Sequence, residues 1–377
     1  QVYIQIYIHV YNNTNSIAWY LTMHVLEKTK SPLGSLAEIV IDQHAANFWL
    51  QKFNSLWSLN QALGKIVQKE NSAQNMVSLT IQFNRHFDVG QAGQHHPIFV
   101  SVNGTRYERS YSLTQLDAQH VLLTVKKVDQ GKVSSWLAEQ SKVGDILEFG
   151  RPYGDMLLPE QAQAMVLLAA GSGITPMFSL LKALSKTNRM AQAPIKLLYW
   201  VRQYADVAFK AHFEKLAEQY PNFTFQVFYT QEDDAGERLN VAHTALISNM
   251  ENNVVYACGP SGFVAQAEQL FAHAQSFKSE AFSMTPIESS DIGFVNVTLL
   301  KSKKVIAIPK GQSILTSLEQ QNIKPTHGCR MGICNKCVCN KVEGSTKNMV
   351  NGSQNAEPGN VLKICVNSAQ SDLVIDL

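Results

Sequence analysis

The sequence predicts a multidomain protein that joins an antiparallel β-barrel, an α/β domain built on a parallel sheet, and a small α+β domain. Three observations lead to this fold class. The chain has 377 residues, more than the ~100–200 of an ordinary domain. Short strand-like runs fill its first half, and strands then alternate with helices from 162 to 275. Five of the six cysteines fall between Cys329 and Cys365.

Composition excludes several classes of function. Hydrophobic residues make up 45% of the chain, charged residues 16%, and the net charge is +2. This charge is too small for a nucleic-acid-binding footprint, so we expect no nucleic-acid partner. No apolar run reaches the ~18 residues of a membrane-spanning helix, and the first residues do not read as a secretory signal. We therefore expect a cytoplasmic protein whose clustered cysteines form a metal site and not disulfides.

The N-terminal region, 1–62, is an extension followed by a lead-in helix. QVYIQIYIHVY alternates apolar and polar residues like a strand, and residues 1–30 form an accessory strand or a tail with no assigned function. Residues 36–59 read as one amphipathic helix and a turn. We expect its FWL and LWSL aromatics to pack on the barrel; contact with a partner or a membrane surface is the alternative.

Residues 63–160 predict the barrel. MVSLTIQF, IFVSV, YERSYSL, HVLLTVKKV and DILEF are strand-like runs separated by turn residues, as an antiparallel barrel requires. GKVSSWL then opens a short helix, whose N-terminal amides can bind a pyrophosphate. The residues that carry these amides are Val133, Ser134 and Ser135. Because FMN has no pyrophosphate, a flavin bound here would be FAD.

Residues 161–276 predict the parallel sheet, and GSGITP follows its first strand. Gly171 and Gly173 allow a tight turn near a pyrophosphate, although the third glycine of the dinucleotide fingerprint is missing. CGPSG, residues 258–262, follows the last predicted strand and opens another helix, which strengthens the prediction. Arg202 could bind a 2′-phosphate, whereas Asp206 favours NAD; we expect NADPH, with NADH as the alternative.

The loop GCRMGICNKC, residues 328–337, predicts a metal site. Cys329, Cys334 and Cys337 have the spacing C-x4-C-x2-C, and Cys365 follows in a later strand-like run. Four thiolates of this kind suit a [2Fe–2S] cluster. A structural zinc site is the alternative, but zinc motifs usually pair their cysteines in two knuckles. We expect Cys339 to be a small buried side chain, with a spare ligand as the alternative.

The residues around the loop resemble a known family. FVNVTLL and KKVIAI predict a hairpin, QSILTSLEQQNI predicts a helix with Ser313 near its start, and VLKICVN and DLVIDL predict closing strands. With the cysteine spacing, residues 293–377 resemble the plant-type [2Fe–2S] ferredoxins of β-grasp fold. Residues 277–292 lack a periodic pattern and predict a linker.

Charge distinguishes this segment from many free-standing ferredoxins, which are acidic. Residues 290–377 contain ten Lys and Arg but only six Asp and Glu, and Arg330 and Lys336 lie inside the thiol loop. These cations either offset the negative cluster or form a docking rim for an acidic partner. The sequence leaves both interpretations open.

A cluster transfers single electrons while a nicotinamide gives up a hydride, so a flavin is expected between them. The pairing of GSGITP with ACGP, preceded by RSYS at 109–112, resembles the ferredoxin–NADP reductase superfamily. The resemblance implies that Arg109 pairs with flavin phosphate, Tyr111 lies on the isoalloxazine and Ser112 sits near N5. It also implies nicotinamide contacts from the remaining motif residues, Thr175, Cys258, Gly259 and Pro260.

The implied function is electron transfer from NAD(P)H through FAD to the [2Fe–2S] cluster, with Ser112, Thr175 and Cys258 shaping the hydride-transfer contact. FWL and LWSL resemble bacterial reductases with a fused ferredoxin, some of which serve membrane fatty-acid desaturases. We therefore expect an oxygen-activating iron enzyme as the acceptor: a desaturase, or alternatively a ring-hydroxylating oxygenase. A flavin and iron–sulfur redox sensor without turnover is the alternative from another class.

Overall fold

The computed structural model describes residues 3–13, 16–26, 43–102, 104–129, 131–231, 236–283, 293–350 and 352–377. It divides into an N-terminal unit, residues 1–45, and a larger unit, residues 46–377. In the first unit β1 (Tyr3–Asn13) and β2 (Ser16–Leu26) form an antiparallel hairpin. The first strand was predicted from its alternation, and the second was not.

Helix α1 spans Gln43–Phe53 and is shorter than the predicted 36–59, of which residues 36–42 lie outside the described part. The expectation that its aromatics pack on the barrel is wrong. The exposed fractions are 55% for Phe48, 64% for Trp49, 82% for Phe53 and 53% for Trp57. From residue 45 onward, the most buried residue of this helix is Asn47, whose Oδ1 accepts hydrogen bonds from the Ser58 hydroxyl and the Leu59 amide.

Six antiparallel strands close into the barrel in the order β3-β4-β7-β6-β5-β8. The sequence predicted five of these six strands. It missed β3, because the second half of this strand is polar and exposed and so gives no clear alternation. The short helix α2 (Lys132–Ser135) continues as a π-helical turn over Trp136–Gln140. The strands are β3 (Ala62–Ala73), β4 (Met76–Phe83), β5 (His95–Val102), β6 (Thr105–Gln115), β7 (His120–Lys126) and β8 (Ile146–Phe149).

A five-stranded parallel sheet of order β11-β10-β9-β12-β13 follows. Its crossover helices begin and end close to the predicted segments, except that α4 starts late because Phe209 has φ +59. The helix predicted near 240–249 is a 3₁₀ segment, Val241–Leu246. The elements are β9 (Ala164–Ala170), α3 (Ile174–Lys186), β10 (Ile195–Val201), α4 (Lys210–Gln219), β11 (Phe223–Tyr229), β12 (Asn253–Pro260), α5 (Ser261–Leu270) and β13 (Ser276–Ser283).

Strand β13 corrects the predicted linker. Its residues pair in parallel with β12 at the edge of the sheet, with Cys258 opposite Glu280. Residues 277–283 are therefore a strand and not a connection. The rest of the predicted linker, 284–292, lies outside the described residues.

The C-terminal domain is a mixed sheet of order β15-β14-β21-β16-β19 beside a three-stranded sheet, β18-β17-β20. The predicted hairpin is present, with Phe294 opposite Pro309. Ser313 lies at the start of the helix as predicted, and the structure shows that it caps the helix, since its side chain accepts a hydrogen bond from the Thr316 amide. The elements are β14 (Phe294–Leu299), β15 (Lys304–Pro309), α6 (Ile314–Gln320), β16 (Val338–Glu343), β17 (Thr346–Asn348), β18 (Gln354–Asn355), β19 (Asn360–Lys363), β20 (Asn367–Ala369) and β21 (Leu373–Ile375).

Candidate functional site

The RSYS segment lies on β6, where alternation along the strand sends neighbouring side chains to opposite faces. Arg109 donates from Nη1 to the Glu108 carbonyl at 2.7 Å. Burial lowers the pKa of Arg109, and the nearby Arg330 cation of the C-terminal domain lowers this pKa further. Tyr111 packs against the barrel core. Ser112 is buried, and its Oγ has no hydrogen-bond partner among the described residues, as expected where a ligand supplies the missing partner.

The second phosphate-binding segment of the sequence prediction lies at the start of α2. Val133 and Ser134 are buried, Ser135 is partly buried, and their amides belong to the first turn. Ser134 Oγ accepts from the Val128 amide at 3.3 Å. The Ser135 amide donates to the Gly131 carbonyl at 2.9 Å, so the prediction that it binds a pyrophosphate is wrong, and the amides of Val133 and Ser134 are the ones that could do so.

The glycine turn and the CGP segment come together in the parallel-sheet domain. Gly171 has φ +54, a left-handed conformation that glycine adopts readily. A Cβ on Gly173 would overlap the carbonyl oxygen of Cys258, so the two backbones touch. Thr175 Oγ1 donates to the Ser172 carbonyl at 3.1 Å. The structure therefore joins two motifs that are far apart in the sequence.

Cys258 lies near the C-terminal end of β12 and is completely buried. Burial raises the pKa of its thiol well above the usual value, and the Glu280 carboxylate raises this pKa further. The thiol is therefore neutral at physiological pH. Gly259 follows, and Pro260 is the residue that caps the start of α5.

Two buried residues at this site were not predicted. His95 of β5 lies opposite Ser112, and its Nε2 is 2.9 Å from Glu280 Oε2, although the two groups are not aligned as a hydrogen bond. Phe282 meets the His95 ring edge-on at 5.7 Å between centroids, and Tyr153 stacks on the same ring. The pair joins the barrel to the edge strand of the parallel sheet.

Lys126 and Arg202 are two cations that could contact a bound nicotinamide dinucleotide. The Lys126 ammonium would be 3.7 Å from a Cβ on Gly171, so it reaches the glycine turn; the sequence prediction missed it because a lysine ending a strand carries no motif. Arg202 is exposed after β10, and Asp206 lies in the short 3₁₀ segment Tyr204–Asp206. Arg202 and Asp206 therefore belong to the same connection.

The thiol loop brings its cysteines together in two pairs. The Cys329 amide donates to Cys334 Sγ at 3.2 Å, and the Cys334 amide donates to Cys329 Sγ at 3.3 Å. In the second pair, Cys337 Sγ is 3.0 Å from Cys365 Sγ. Among the described residues, no group of three or more metal-binding side chains already converges on one point. Cys339 is buried in the hydrophobic core behind the loop, as predicted.

Backbone amides surround these sulfurs. Cys329 Sγ accepts from the amides of Met331 and Cys334 at 3.4 and 3.3 Å. A hydrogen bond from the Cys334 thiol lowers the pKa of Cys329 to about 6, and the amides lower it further. A hydrogen bond from Cys365 likewise lowers the pKa of Cys337 to about 7. The same contacts raise the pKa of the partner thiols, Cys334 and Cys365, so one sulfur of each pair ionises more readily than the other. Four thiols paired in this way, with amides donating to Cys329 and Cys334, fit an iron–sulfur cluster.

Comparison with known proteins decides the family. An oxidoreductase FAD-binding domain matches residues 64–157, an oxidoreductase NAD-binding domain matches 167–269, and a 2Fe-2S iron-sulfur cluster binding domain matches 297–369. An NADPH oxidoreductase of Mycobacterium tuberculosis is 31% identical, over 87% of this chain and 88% of that protein. The chain belongs to the ferredoxin–NADP reductase-type flavoproteins with a C-terminal [2Fe–2S] ferredoxin domain.

Other relatives agree with this membership. The phthalate 4,5-dioxygenase reductase subunit of Pseudomonas putida is 27% identical to this chain. The match covers 76% of this chain and 87% of the Pseudomonas subunit. The structure of phthalate dioxygenase reductase has the same fold, with a TM-score of 0.60, 24% identity, and coverage of 84% of this chain and 98% of that one. The reductase is therefore an NAD(P)H oxidoreductase that transfers electrons through FAD and a [2Fe–2S] cluster.

The ferredoxin domain of the reductase contacts its barrel. Lys336 Nζ is 2.8 Å from each carboxylate oxygen of Glu108, and it lies over the Phe99 ring at 5.5 Å. Arg330 instead forms a bidentate pair with Glu319 of its own domain. Both loop cations therefore have carboxylate partners. Within the described residues, no helix is long and apolar enough to cross a membrane.

Proposed function

We propose that the reductase passes electrons from NADPH to an oxygen-activating iron enzyme. The observation that carries the proposal is the proximity of the ferredoxin loop to β6, because one chain then holds both redox sites side by side. A bound flavin accepts a hydride and releases single electrons, which a cluster can carry. The enzymatic relatives support turnover and argue against a redox sensor.

In this proposal the chain binds and orients its cofactors. Arg109 pairs with flavin phosphate, Tyr111 lies on the flavin ring, and the Ser112 hydroxyl supplies a hydrogen bond near N5. The amides of Val133 and Ser134 hold the pyrophosphate. Thr175 and the neutral Cys258 thiol flank the nicotinamide, and the remaining glycine-turn and CGP residues, Gly171, Gly173, Gly259 and Pro260, let the backbone approach the dinucleotide.

Cluster binding is assigned to four thiolates, those of Cys329, Cys334, Cys337 and Cys365. Removal of the bound iron with a chelator would test this assignment. We also keep the expected module limits near 160 and 292 and the reducing, cytoplasmic location as parts of the proposal. All six cysteines are free thiols, which supports that location.

The nicotinamide preference rests on Arg202. Its exposed guanidinium can bind a 2′-phosphate, and one relative is an NADPH oxidoreductase, although an Escherichia coli relative is an NADH oxidoreductase. Substitution of Arg202 by Ala should raise the KM for NADPH about tenfold, with little change for NADH, because only NADPH has the extra phosphate. Arg85→Ala, at an exposed arginine of the barrel, is the control. Equal effects on both nucleotides would contradict the assignment.

We further propose that the acceptor is a membrane-bound fatty-acid desaturase. The four exposed aromatics of the α1 region support contact with a membrane or a membrane-bound partner, because Trp and Phe favour the lipid interface. The reductase subunits among the relatives favour a second candidate, a ring-hydroxylating or other soluble oxygenase.

Purification with a tagged reductase from detergent-treated membranes tests the acceptor class. A membrane-bound di-iron protein that is reduced by NADPH only when the reductase is added would support the desaturase. Trp49→Ala and Phe53→Ala should weaken this association, while Val241→Ala, at an exposed residue of the parallel-sheet domain, should not. Recovery of a soluble oxygenase would favour the second candidate.

A further inference from the structure

The ferredoxin loop, residues 328–337, lies against one small area of the barrel. Phe99 of β5 is directly opposite Glu108 of β6, and Glu148 of β8 pairs with Phe99 from the other side. Residues that are directly opposite on neighbouring strands share a face of the sheet. The Phe99 ring is therefore flanked by two carboxylates. An aromatic face beside a carboxylate is a favourable site for a cation.

Two cations occupy this area, one from each domain. Arg106 of the barrel lies over the Phe99 ring at 4.3 Å and binds Glu148 at 2.8 Å. Lys336 of the loop lies over the same ring and binds both oxygens of Glu108. Glu148 therefore has a cation partner from the barrel, Arg106, whereas the cation partner of Glu108, Lys336, comes from the ferredoxin domain.

The loop backbone also comes very close to Glu108. A Cβ on Gly328 would be 2.6 Å from Glu108 Oε1, so this carboxylate lies directly against the loop backbone. The Glu108 side chain is 14% exposed, compared with 33% for Glu148. A partly buried ion pair is less screened by salt than one on an open surface.

The cysteines of the loop lie near the same strand. A Cβ on Gly328, the glycine that lies against Glu108, would also be 3.0 Å from Cys334 Sγ. The ion pair therefore lies beside the position where the thiol loop faces the RSYS strand.

We infer that Glu108 is the residue of the barrel on which the ferredoxin loop docks through Lys336, and that this pair positions the cluster beside Arg109 and Tyr111. Glu108 is a positioning residue for electron transfer between the two centres. The inference rests on the electron-transfer chain of the reductase and not on the identity of the acceptor.

Carbodiimide cross-linking of the holoenzyme at low ionic strength tests the contact directly. The reagent adds to a carboxylate to give an O-acylisourea, and an adjacent lysine amine attacks the acyl carbon to form an amide and release the urea. Peptide mapping should find Lys336 joined to Glu108 and not to Glu148. The Lys127–Glu139 pair of the barrel, at 2.5 Å, is the internal reference. The inference is overturned if this reference pair is linked while Lys336 stays free or is joined elsewhere.

A charge exchange tests the positioning role. After mixing with NADPH in a stopped-flow instrument, Glu108→Lys should slow cluster bleaching about tenfold, because two cations then face each other. Combining Glu108→Lys with Lys336→Glu should return the rate to within about threefold of wild type. Glu148→Lys, which changes the other carboxylate beside Phe99, should alter the rate less than about twofold.

Rescue by the exchanged pair separates docking from misfolding, since a misfolded barrel would not recover when a second residue is changed. The flavin reduction phase of the same trace reports the nicotinamide step. Failure of the exchange to rescue, or an equal effect of Glu148→Lys, overturns the inference. Neither measurement involves the acceptor, so the proposed acceptor could be wrong while the docking result stands.

Discussion

Cys337 and Cys339 are two residues apart, yet only one of them faces another proposed ligand. Cys337 Sγ lies 3.0 Å from Cys365 Sγ, whereas Cys339 is buried in the hydrophobic core behind the loop. Strand alternation would place residues two apart on the same face, but Cys337 precedes β16, which begins at Val338, so the loop backbone and not the strand positions its thiol. Sequence spacing alone could not decide between these thiols.

A pair of substitutions checks this assignment. Cys337→Ser should remove the cluster absorbance and NADPH-driven cytochrome c reduction, because the cluster loses a thiolate ligand. Flavin absorbance and NADPH–ferricyanide activity should persist. Cys339→Ala should keep the cluster and lower the free energy of unfolding by about 1 kcal/mol, since it removes only a small buried side chain. Visible spectra of the two purified variants provide the measurement, and loss of the cluster in Cys339→Ala would contradict the assignment.

His96 makes the stability of the barrel depend on pH. It is buried, its Nε2 bonds to the Asp88 carbonyl at 2.9 Å, and burial lowers the pKa of its imidazole to about 4. The unfolded chain therefore binds a proton near pH 6.5 that the folded barrel does not bind. The free energy of unfolding should fall by about 2 kcal/mol between pH 7 and 5 through this residue.

Urea unfolding, followed by the fluorescence of released flavin, measures this dependence. His96→Gln should lose the contribution and show a flatter pH profile. His273→Gln, at an exposed histidine, should keep the wild-type slope. A slope that is unchanged in His96→Gln would show that another group titrates.

His95 and Glu280 show where sequence reasoning stops at this scale. The motif residues were predictable because Arg109, Thr175 and Cys258 lie in short patterns. The His95–Glu280 contact joins β5 to β13, and neither residue has a neighbour that signals the other. Such a pair follows from the packing of two domains, which local spacing does not determine.

Among the elements, periodicity missed β3 and β13, as well as β2, β16, β17 and β18. The second half of β3 is largely exposed and polar, so its alternation fades. Strand β13 is an edge strand with Lys278 and Glu280 in its middle, and Glu280 is buried because it meets His95. In contrast, β9 and β10 were predicted closely, since buried parallel strands have continuous apolar runs, and β4 was predicted from the alternation in MVSLTIQF.

The junction of β9 with α3 depends on the absence of a side chain at Gly173. Gly173→Ala should push the glycine turn away from Cys258 and lower the free energy of unfolding by about 1–3 kcal/mol. NADPH should then reduce the flavin more slowly. Gly262→Ala in α5, which meets open space, should be neutral or stabilising by up to about 1 kcal/mol. Thermal unfolding of both variants checks the difference, and equal melting temperatures would refute the close approach.

At the scale of the whole molecule, the barrel and the ferredoxin domain are linked through charge. The Arg330 cation is close enough to lower the pKa of Arg109, so like charges face each other across the contact. Phosphate bound at Arg109 would relieve this repulsion, and FAD loading should therefore favour docking.

The cross-link between Lys336 and Glu108 can report this coupling. Its yield should rise several-fold when FAD is added back to flavin-free protein, because linkage is reciprocal. The yield of the Lys127–Glu139 link serves as the control and should not change. If the yield of the Lys336–Glu108 link does not change with FAD, then FAD binding and docking of the ferredoxin domain are independent.

The buried contact of His95 with Glu280 has a consequence for recombining these proteins. A chimera cut between the barrel and the parallel-sheet half would pair His95 with a foreign edge strand, or leave Glu280 enclosed without an opposite group. A buried polar group that is left without its partner costs about 1–3 kcal/mol, a sizeable part of the stability of a typical domain. The barrel and the parallel-sheet domain should therefore be exchanged together, so that a functional chimera takes both His95 and Glu280 from the same parent.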